Sequence, residues 1–220
     1  MHLRLHTRYQ NSAGERVRIV LNLKQVEYEY VPVPSVVSPD YLRINPQGLM
    51  PALEIDGVIV AQSMAIIGLI DELFPTPPLL PAGPVQRAQA RAFAYLIAAD
   101  LHPINNNRVR KYLSGPMGVA SAEVDGWYLH WVETAFKALE TSLSSADRPV
   151  TRYGFTDHPG LPEACLVPQM ANARRFGCDL AAYPRLVALD EACRELPAFV
   201  AAAPQMQPDY PGGPAIQSSL

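Results

Sequence analysis

Cysteine is scarce in this chain. Cys165, Cys178 and Cys193 are odd in number, widely spaced and form no CxxC pair, which reads as reduced core thiols in a cytoplasmic protein. No metal site is expected. Charge is also sparse: 18% of residues are charged, the formal net charge is -3, and no basic cluster stands out. This argues against nucleic acid or an anionic membrane as a partner. No apolar run of 18 residues is available to span a bilayer, and the opening MHLRLHTRYQNS lacks the apolar core of a signal peptide. No internal repeat is visible, and the 22 prolines punctuate the chain without forming a low-complexity tract. What remains is 220 residues with 49% hydrophobic content, enough for one large or two modest globular domains.

The stretch from Leu49 to Ser63, LMPALEIDGVIVAQS, carries most of the local information. Ala52 to Ile55 reads as a strand, Asp56-Gly57 as a two-residue hairpin turn and Val58 to Val60 as the return strand. Pro51 is either an ordinary edge residue or a cis-proline that turns the preceding backbone outward. Gln62-Ser63 opens a helix, SMAIIGLIDELF, with Ser63 as its expected cap, and a helix start of this kind holds carboxylates well.

Taken in order, Leu3 to His6 fits a first strand and Thr7 to Gly14 a polar turn. A helix follows, with Val17, Val20, Leu21 and Leu23 on its inner side. Glu27 to Val33 reads as a second strand suited to a buried sheet through Val26, Tyr28, Tyr30 and Val31. A short helix starts at Ser38, and Asn45-Pro46-Gln47-Gly48 is a turn. Phe74 to Pro84 is too proline-rich for helix or central strand and reads as an interdomain linker. Beyond it only helices are expected. Gln86 to Asp100 carries Ala90, Phe93, Ala94 and Ile97 on one face, and Pro103 interrupts it before Ile104 to Leu113. Ser121 to Ser145 follows with Trp127, Trp131, Ala135 and Leu139 inward. Leu161 to Phe176, Tyr183 to Arg194 and Pro197 to Ala203 complete the set, and the tail from Pro204 is expected to be mobile.

MP-A-L at 50–53 with QS-x-AII at 62–67 resembles the glutathione-binding half of a glutathione transferase. That resemblance implies an α/β thioredoxin-like domain at 1–80 and an all-α domain at 86–220. It also implies a homodimer. In the family, the residue before the cis-proline hydrogen-bonds the cysteinyl backbone of glutathione, and the residue pair corresponding to Gln62-Ser63 holds its γ-glutamyl carboxylate. Met50, Pro51, Gln62 and Ser63 occupy those positions.

Three passages resemble one branch, the zeta class or maleylacetoacetate isomerases: ERVRIVLNLK at 15–24, HPINN at 102–106 and CLVPQMANARRFGCDL at 165–180. The resemblance implies a glutathione-dependent cis-trans isomerase of a maleyl-type diacid, acting in aromatic or tyrosine catabolism. The thiolate adds to the double bond, rotation follows, and the thiolate leaves. A dianionic substrate calls for arginine, whose planar fork binds carboxylate bidentately. Arg175 falls on the arginine of the class signature. Arg8 lies beside the active-site loop. Arg110 follows His102 and Asn106 at four-residue steps, sharing a face with them if the helix is continuous. Each arginine is otherwise a solvated or salt-bridged surface group. His102 and Asn106 are expected to contact glutathione, Asn105 standing with them in a polar helix break.

The chain departs from the class at its catalytic loop. Asn11 stands in place of the serine that stabilises the thiolate, Ser12 in place of the second serine, Gln10 in place of an arginine, and Glu15 in place of an aromatic or histidine. Asn11, Ser12 and the helix N-terminus supply donors for a thiolate. Glu15 opposes ionisation unless it points to solvent. Gly160 replaces the usual cap of a later helix, with Glu163 keeping the acidic partner. Two other readings stay open: conjugation or dehalogenation of small α-halo acids, and a degenerate glutathione-binding homologue.

Overall fold

In the computed structural model, which describes residues 1–144 and 151–212, strand β1 (Leu3–Thr7) lies inside a four-stranded sheet of order β2-β1-β3-β4. β2 (Glu29–Pro32) pairs with it in parallel, β3 (Ala52–Ile55) antiparallel, and β4 (Val58–Ala61) antiparallel to β3. The hairpin turn is Asp56-Gly57, with φ of 46° and 86°, the left-handed pair that matches strand twist and that glycine adopts without penalty. The Met50–Pro51 peptide is cis. β2 is less buried than the sequence suggests: Val26, Tyr28, Tyr30 and Val31 are only half-buried, because this strand forms the sheet edge.

Helix α1 (Ser12–Leu23) buries Val17, Ile19, Val20 and Leu21 and leaves Leu23 half-exposed. Apolar spacing gave no sign that Arg16 and Arg18 are buried too. α1 packs against α3 (Ser63–Leu73) and α10 (Pro197–Ala202). In sequence between α1 and α3, α2 (Pro39–Ile44) is capped by the Ser38 hydroxyl, which accepts from the Tyr41 N–H.

The chain divides into two units, Met1–Leu79 with the segment from Arg194, and Leu80–Cys193. The expected second domain at 86–220 therefore loses its C-terminal part, because α10 buries Phe199 and Ala202 in the first unit. The tail is not loose as far as Gly212: Gln207 is buried, its amide donating to the Ala201 and Ala203 carbonyls at 2.8 and 2.9 Å. Residues 213–220 lie outside the described residues. The proline-rich linker is tied down in its first half, where the buried Lys24 ammonium binds Asp71 and the Pro77 carbonyl and Leu79 is buried.

In the second unit, α4 (Pro84–Tyr95) buries Ala90, Phe93 and Ala94, and Ile97 continues that face. Leu96–Leu101 is a wider π turn, closed by the His102 N–H on the Ile97 carbonyl. Pro103 lacks the N–H that would continue α-helical bonding, and the widened turn absorbs the defect. α5 (His102–Asn105) and α6 (Asn107–Ser114) follow, then α7 (Ser121–Leu143), α8 (Leu161–Arg175) and α9 (Pro184–Arg194). α8 is buried from Leu161 to Met170 and packs on α4. On α7 the inward face is Val124, Tyr128, Val132, Ala135, Phe136 and Leu139. Trp127 and Trp131 stand on its flank, contrary to expectation: Trp127 is exposed, its indole N–H donating to the Ile104 carbonyl at 3.0 Å, and Trp131 is half-buried. Ser145 lies outside the described residues.

Candidate active site

Strand register gathers the expected glutathione residues of the first unit. His6 pairs with Ala52 and Ala52 with Ala61, so the end of β1, the start of β3 and the end of β4 lie at one end of the sheet. Asn11-Ser12 follows the first, Met50-Pro51 precedes the second, and Gln62-Ser63 follows the third. The approach to Met50 is fixed by the Leu49 carbonyl, which accepts from the Tyr41 hydroxyl at 2.7 Å and the Asn45 amide at 2.6 Å. Neither support was read from the sequence.

Asn11 is the N-cap of α1. Its side-chain oxygen accepts from the Gly14 N–H, which leaves the amide nitrogen as its outward donor. A Cβ at Gly14 would stand 2.0 Å from the Thr7 hydroxyl and 2.7 Å from the Asn11 oxygen, so only glycine lets α1 start this close to β1. Ser12 heads the helix and is half-exposed. Glu15 does not point to solvent: it is 6% exposed. Its charge faces Arg18, whose guanidinium it supports against desolvation. Ser63 corrects an expectation. Gln62, not Ser63, is the N-cap of α3, and Ser63 is buried in the first turn. Gln62 holds φ at 73° and ψ at 115°, a conformation that costs a non-glycine residue about 1–3 kcal/mol and collects at ligand sites. Its side chain donates to Gln47 at 2.8 Å.

The second unit has a small open pocket, about 30 Å³, whose wall includes His102, Asn105, Tyr128, Gln169, Asn172 and Arg175. Asn105 Oδ1 and Gln169 Nε2 are buried there without a hydrogen-bond partner among the described residues. Native proteins leave few such groups unpaired away from ligands or water. Burial pushes the Tyr128 phenol up to about 12, with Cys178 adding to the rise and Gln169, Arg175 and Arg110 opposing it, so it is a neutral donor. The face expected to join His102, Asn106 and Arg110 is not formed. The helix breaks at Asn106, with ψ of 166°, and Asn106 Oδ1 accepts from the Arg108 and Val109 N–H groups to start α6.

The arginines differ in what engages them. Arg174 binds the buried Asp190 at 2.6 Å, and Arg110 binds Asp125 at 2.7 Å. Arg175, exposed at the end of α8, has no ion pair or hydrogen bond among the described residues. Both Arg110 and Arg175 lie against the Phe176 ring, 4.2 and 4.8 Å from its centroid. Arg8 is in the first unit, half-buried, with its Nε unpartnered among the described residues. The described residues contain no cluster of metal-ligating side chains. Burial pushes the Cys178 thiol up to about 11 and Cys193 further, so neither is a nucleophile at neutral pH.

The sequence model described as glutathione S-transferase, N-terminal domain, matches residues 7–78. A maleylpyruvate isomerase from Ralstonia sp. is 42% identical over 212 residues, 94% of this chain and 99% of that protein. A holo structure of maleyl pyruvate isomerase, described as a bacterial zeta-class glutathione S-transferase, superposes with a TM-score of 0.91. It is 40% identical, with 94% of this chain and 100% of that chain covered. This chain belongs to the zeta-class glutathione transferase and maleylacetoacetate isomerase family. A maleylacetoacetate isomerase from Anaeromyxobacter dehalogenans, 36% identical with a TM-score of 0.83 and covering 96% of this chain and 98% of its own, was solved with dicarboxyethyl glutathione and citrate in its active site.

Several cavity residues of this zeta-class chain were missed in the sequence. Gln169, Asn172 and Phe176 all lie within the quoted signature, and Asn172, three residues before Arg175 on α8, was within reach of helical spacing. Tyr128 and Asn107 carried none. No helix among the described residues is long and apolar enough to cross a membrane.

Proposed function

We propose that this zeta-class protein is a glutathione-dependent cis-trans isomerase of a maleyl-type diacid, maleylpyruvate or maleylacetoacetate. The observation that carries this reading is the guanidinium of Arg175, without an ion-pair partner among the described residues, beside a cavity that holds unpaired polar groups. A neutral electrophile needs no such cation, whereas a carboxylate does. The full-length likeness to maleylpyruvate and maleylacetoacetate isomerases supports it.

When bound, glutathione supplies a thiolate that adds to the alkene carbon β to the ketone, pushes the π electrons onto the ketone oxygen, and leaves after rotation with the electrons restored. The net reaction consumes no glutathione and needs no proton transfer to carbon. On this reading the N-terminus of α1, the Asn11 amide and Ser12 hold negative charge. Met50 and Pro51 present the strand edge, and Gln62 and Ser63 receive a carboxylate. Arg175 holds a substrate carboxylate, assisted by Arg110. The protein works as a cytoplasmic homodimer.

The test is the ultraviolet absorbance change of maleylpyruvate and of maleylacetoacetate with and without glutathione. Turnover of at least one, only with glutathione, is the expected result. Chloride release from an α-halo acid with neither diacid isomerised would move the assignment to dehalogenation. Glutathione binding with no turnover of any of these would make the protein a binder, the outcome to which Asn11 and Gln10 point.

A further inference from the structure

The loop that leads to Asn11 is held from both sides by charged groups that the chemistry above does not use. Arg18, on α1, is 0% exposed. Its Nε donates to the Ala202 carbonyl at 2.9 Å, Nη1 to the Arg8 carbonyl at 3.3 Å and Nη2 to the Tyr9 carbonyl at 3.2 Å. Asp209 grips the same residue from the other side. Its two carboxylate oxygens accept from the Tyr9 N–H at 3.1 and 3.2 Å, and Oδ1 also accepts from the Tyr30 hydroxyl at 2.6 Å. The Tyr9 ring meets Tyr210 edge-on, 5.4 Å between centroids. The backbone N–H and C=O of Tyr9, two positions before Asn11, are thus both tied to charged side chains, one from α1 and one from the C-terminal segment. All of these groups belong to one unit.

Stability alone does not explain this arrangement. Burial works against the charge on Arg18, opposed by Glu15, Tyr30, Tyr28 and Asp209. Desolvating a guanidinium is costly, and buried charged groups are often replaceable by apolar ones with no loss of stability. A fork that donates to three carbonyls does something an apolar residue cannot, which is to fix where each carbonyl sits.

We infer that Arg18 and Asp209 are positioning residues that set the Arg8–Asn11 loop, and through it the thiolate-holding start of α1, so that the C-terminal segment is a working part of the glutathione site. This rests on the isomerase reading above. Asp209 acts through Tyr9 and the loop, and its own negative charge would oppose a nearby thiolate. The two effects therefore differ in sign.

The experiment titrates bound glutathione by its thiolate absorbance in the wild type, Asp209→Ala, Asp209→Asn and Arg18→Lys, alongside kcat, KM for glutathione and hydrogen exchange at the Tyr9 amide. Losing the clamp is expected to raise the thiol pKa of bound glutathione by about one unit in Asp209→Ala and to lower kcat about tenfold or more. The Tyr9 amide should exchange faster even without glutathione. Asp209→Asn, which keeps size and one acceptor, recovers part of each effect. An unchanged or lowered thiol pKa in Asp209→Ala, whatever its thermal stability, overturns the inference. If Asp209→Ala does not fold, Tyr30→Phe removes one hydrogen bond to the carboxylate and must shift the titration upward by a smaller amount; no shift overturns the inference equally. A wild type that binds glutathione without lowering its thiol pKa overturns the isomerase reading itself, and this inference with it.

Discussion

Arg175→Ala is expected to lower kcat/KM for the diacid roughly 30- to 1,000-fold, the equivalent of about 2–4 kcal/mol for one lost guanidinium–carboxylate contact. Glutathione affinity should stay within about threefold, since the ligand's own carboxylates are assigned elsewhere. Arg175 ends α8, and the C-terminal end of a helix carries partial negative charge, so without the arginine this end of the cavity repels a carboxylate. Arg175→Lys keeps the charge and loses the fork, and should fall between the two. The neighbouring Arg174→Ala is the control. Arg174 pairs with buried Asp190, so its removal should lower stability and leave kcat/KM near the wild-type value. If the two alanine variants exchange these phenotypes, the substrate assignment is wrong.

Glu163→Ala is expected to cost about 3–5 kcal/mol of stability, read by chemical or thermal unfolding. Glu163 is 1% exposed in the first turn of α8. Its Oε1 accepts from the Gly154 N–H at 2.9 Å and its Oε2 from the Gly160 N–H at 2.7 Å. Gly160 is the N-cap and has no side chain to share the task, so the carboxylate does the capping alone and meets the positive end of the helix. Alanine leaves two amides without this acceptor, at about 1–3 kcal/mol each. Glu163→Gln keeps one acceptor oxygen and should lose about half as much. A loss below about 1 kcal/mol for the alanine variant would show that water replaces the carboxylate and that the cap is dispensable.

The two-domain layout was legible because strand and helix periodicities separate cleanly at the proline-rich run from Phe74 to Pro84. The Asp56-Gly57 hairpin was legible because its residue types dictate a left-handed turn. The inward Glu15, Arg16 and Arg18 were not, since a pattern argument places charge outside, and Arg18 is held by the carbonyls of Arg8, Tyr9 and Ala202, the last 184 residues away in sequence. The tail misled for the same reason: Pro, Gln and Gly compose a segment that resembles a loose end, and Gln207, Asp209 and Tyr210 fasten it. At the candidate site, residues quoted with the class signature marked the wall of the cavity, while the break at Asn106 undid a face that depended on helix continuity. Asn11 departs from the class pattern in the sequence, but the use of its oxygen as the acceptor for Gly14, with the amide nitrogen left as donor, follows only from the geometry of the cap.

The central claim is that the thiol of glutathione takes part in catalysis and is returned unchanged. Isomerisation of maleylpyruvate and maleylacetoacetate should be compared at saturating glutathione and at saturating S-methylglutathione, with total free thiol measured before and after many turnovers. Turnover is expected with glutathione, none with the methylated peptide, and no loss of thiol. Turnover with S-methylglutathione, or thiol consumed in step with substrate, would contradict it.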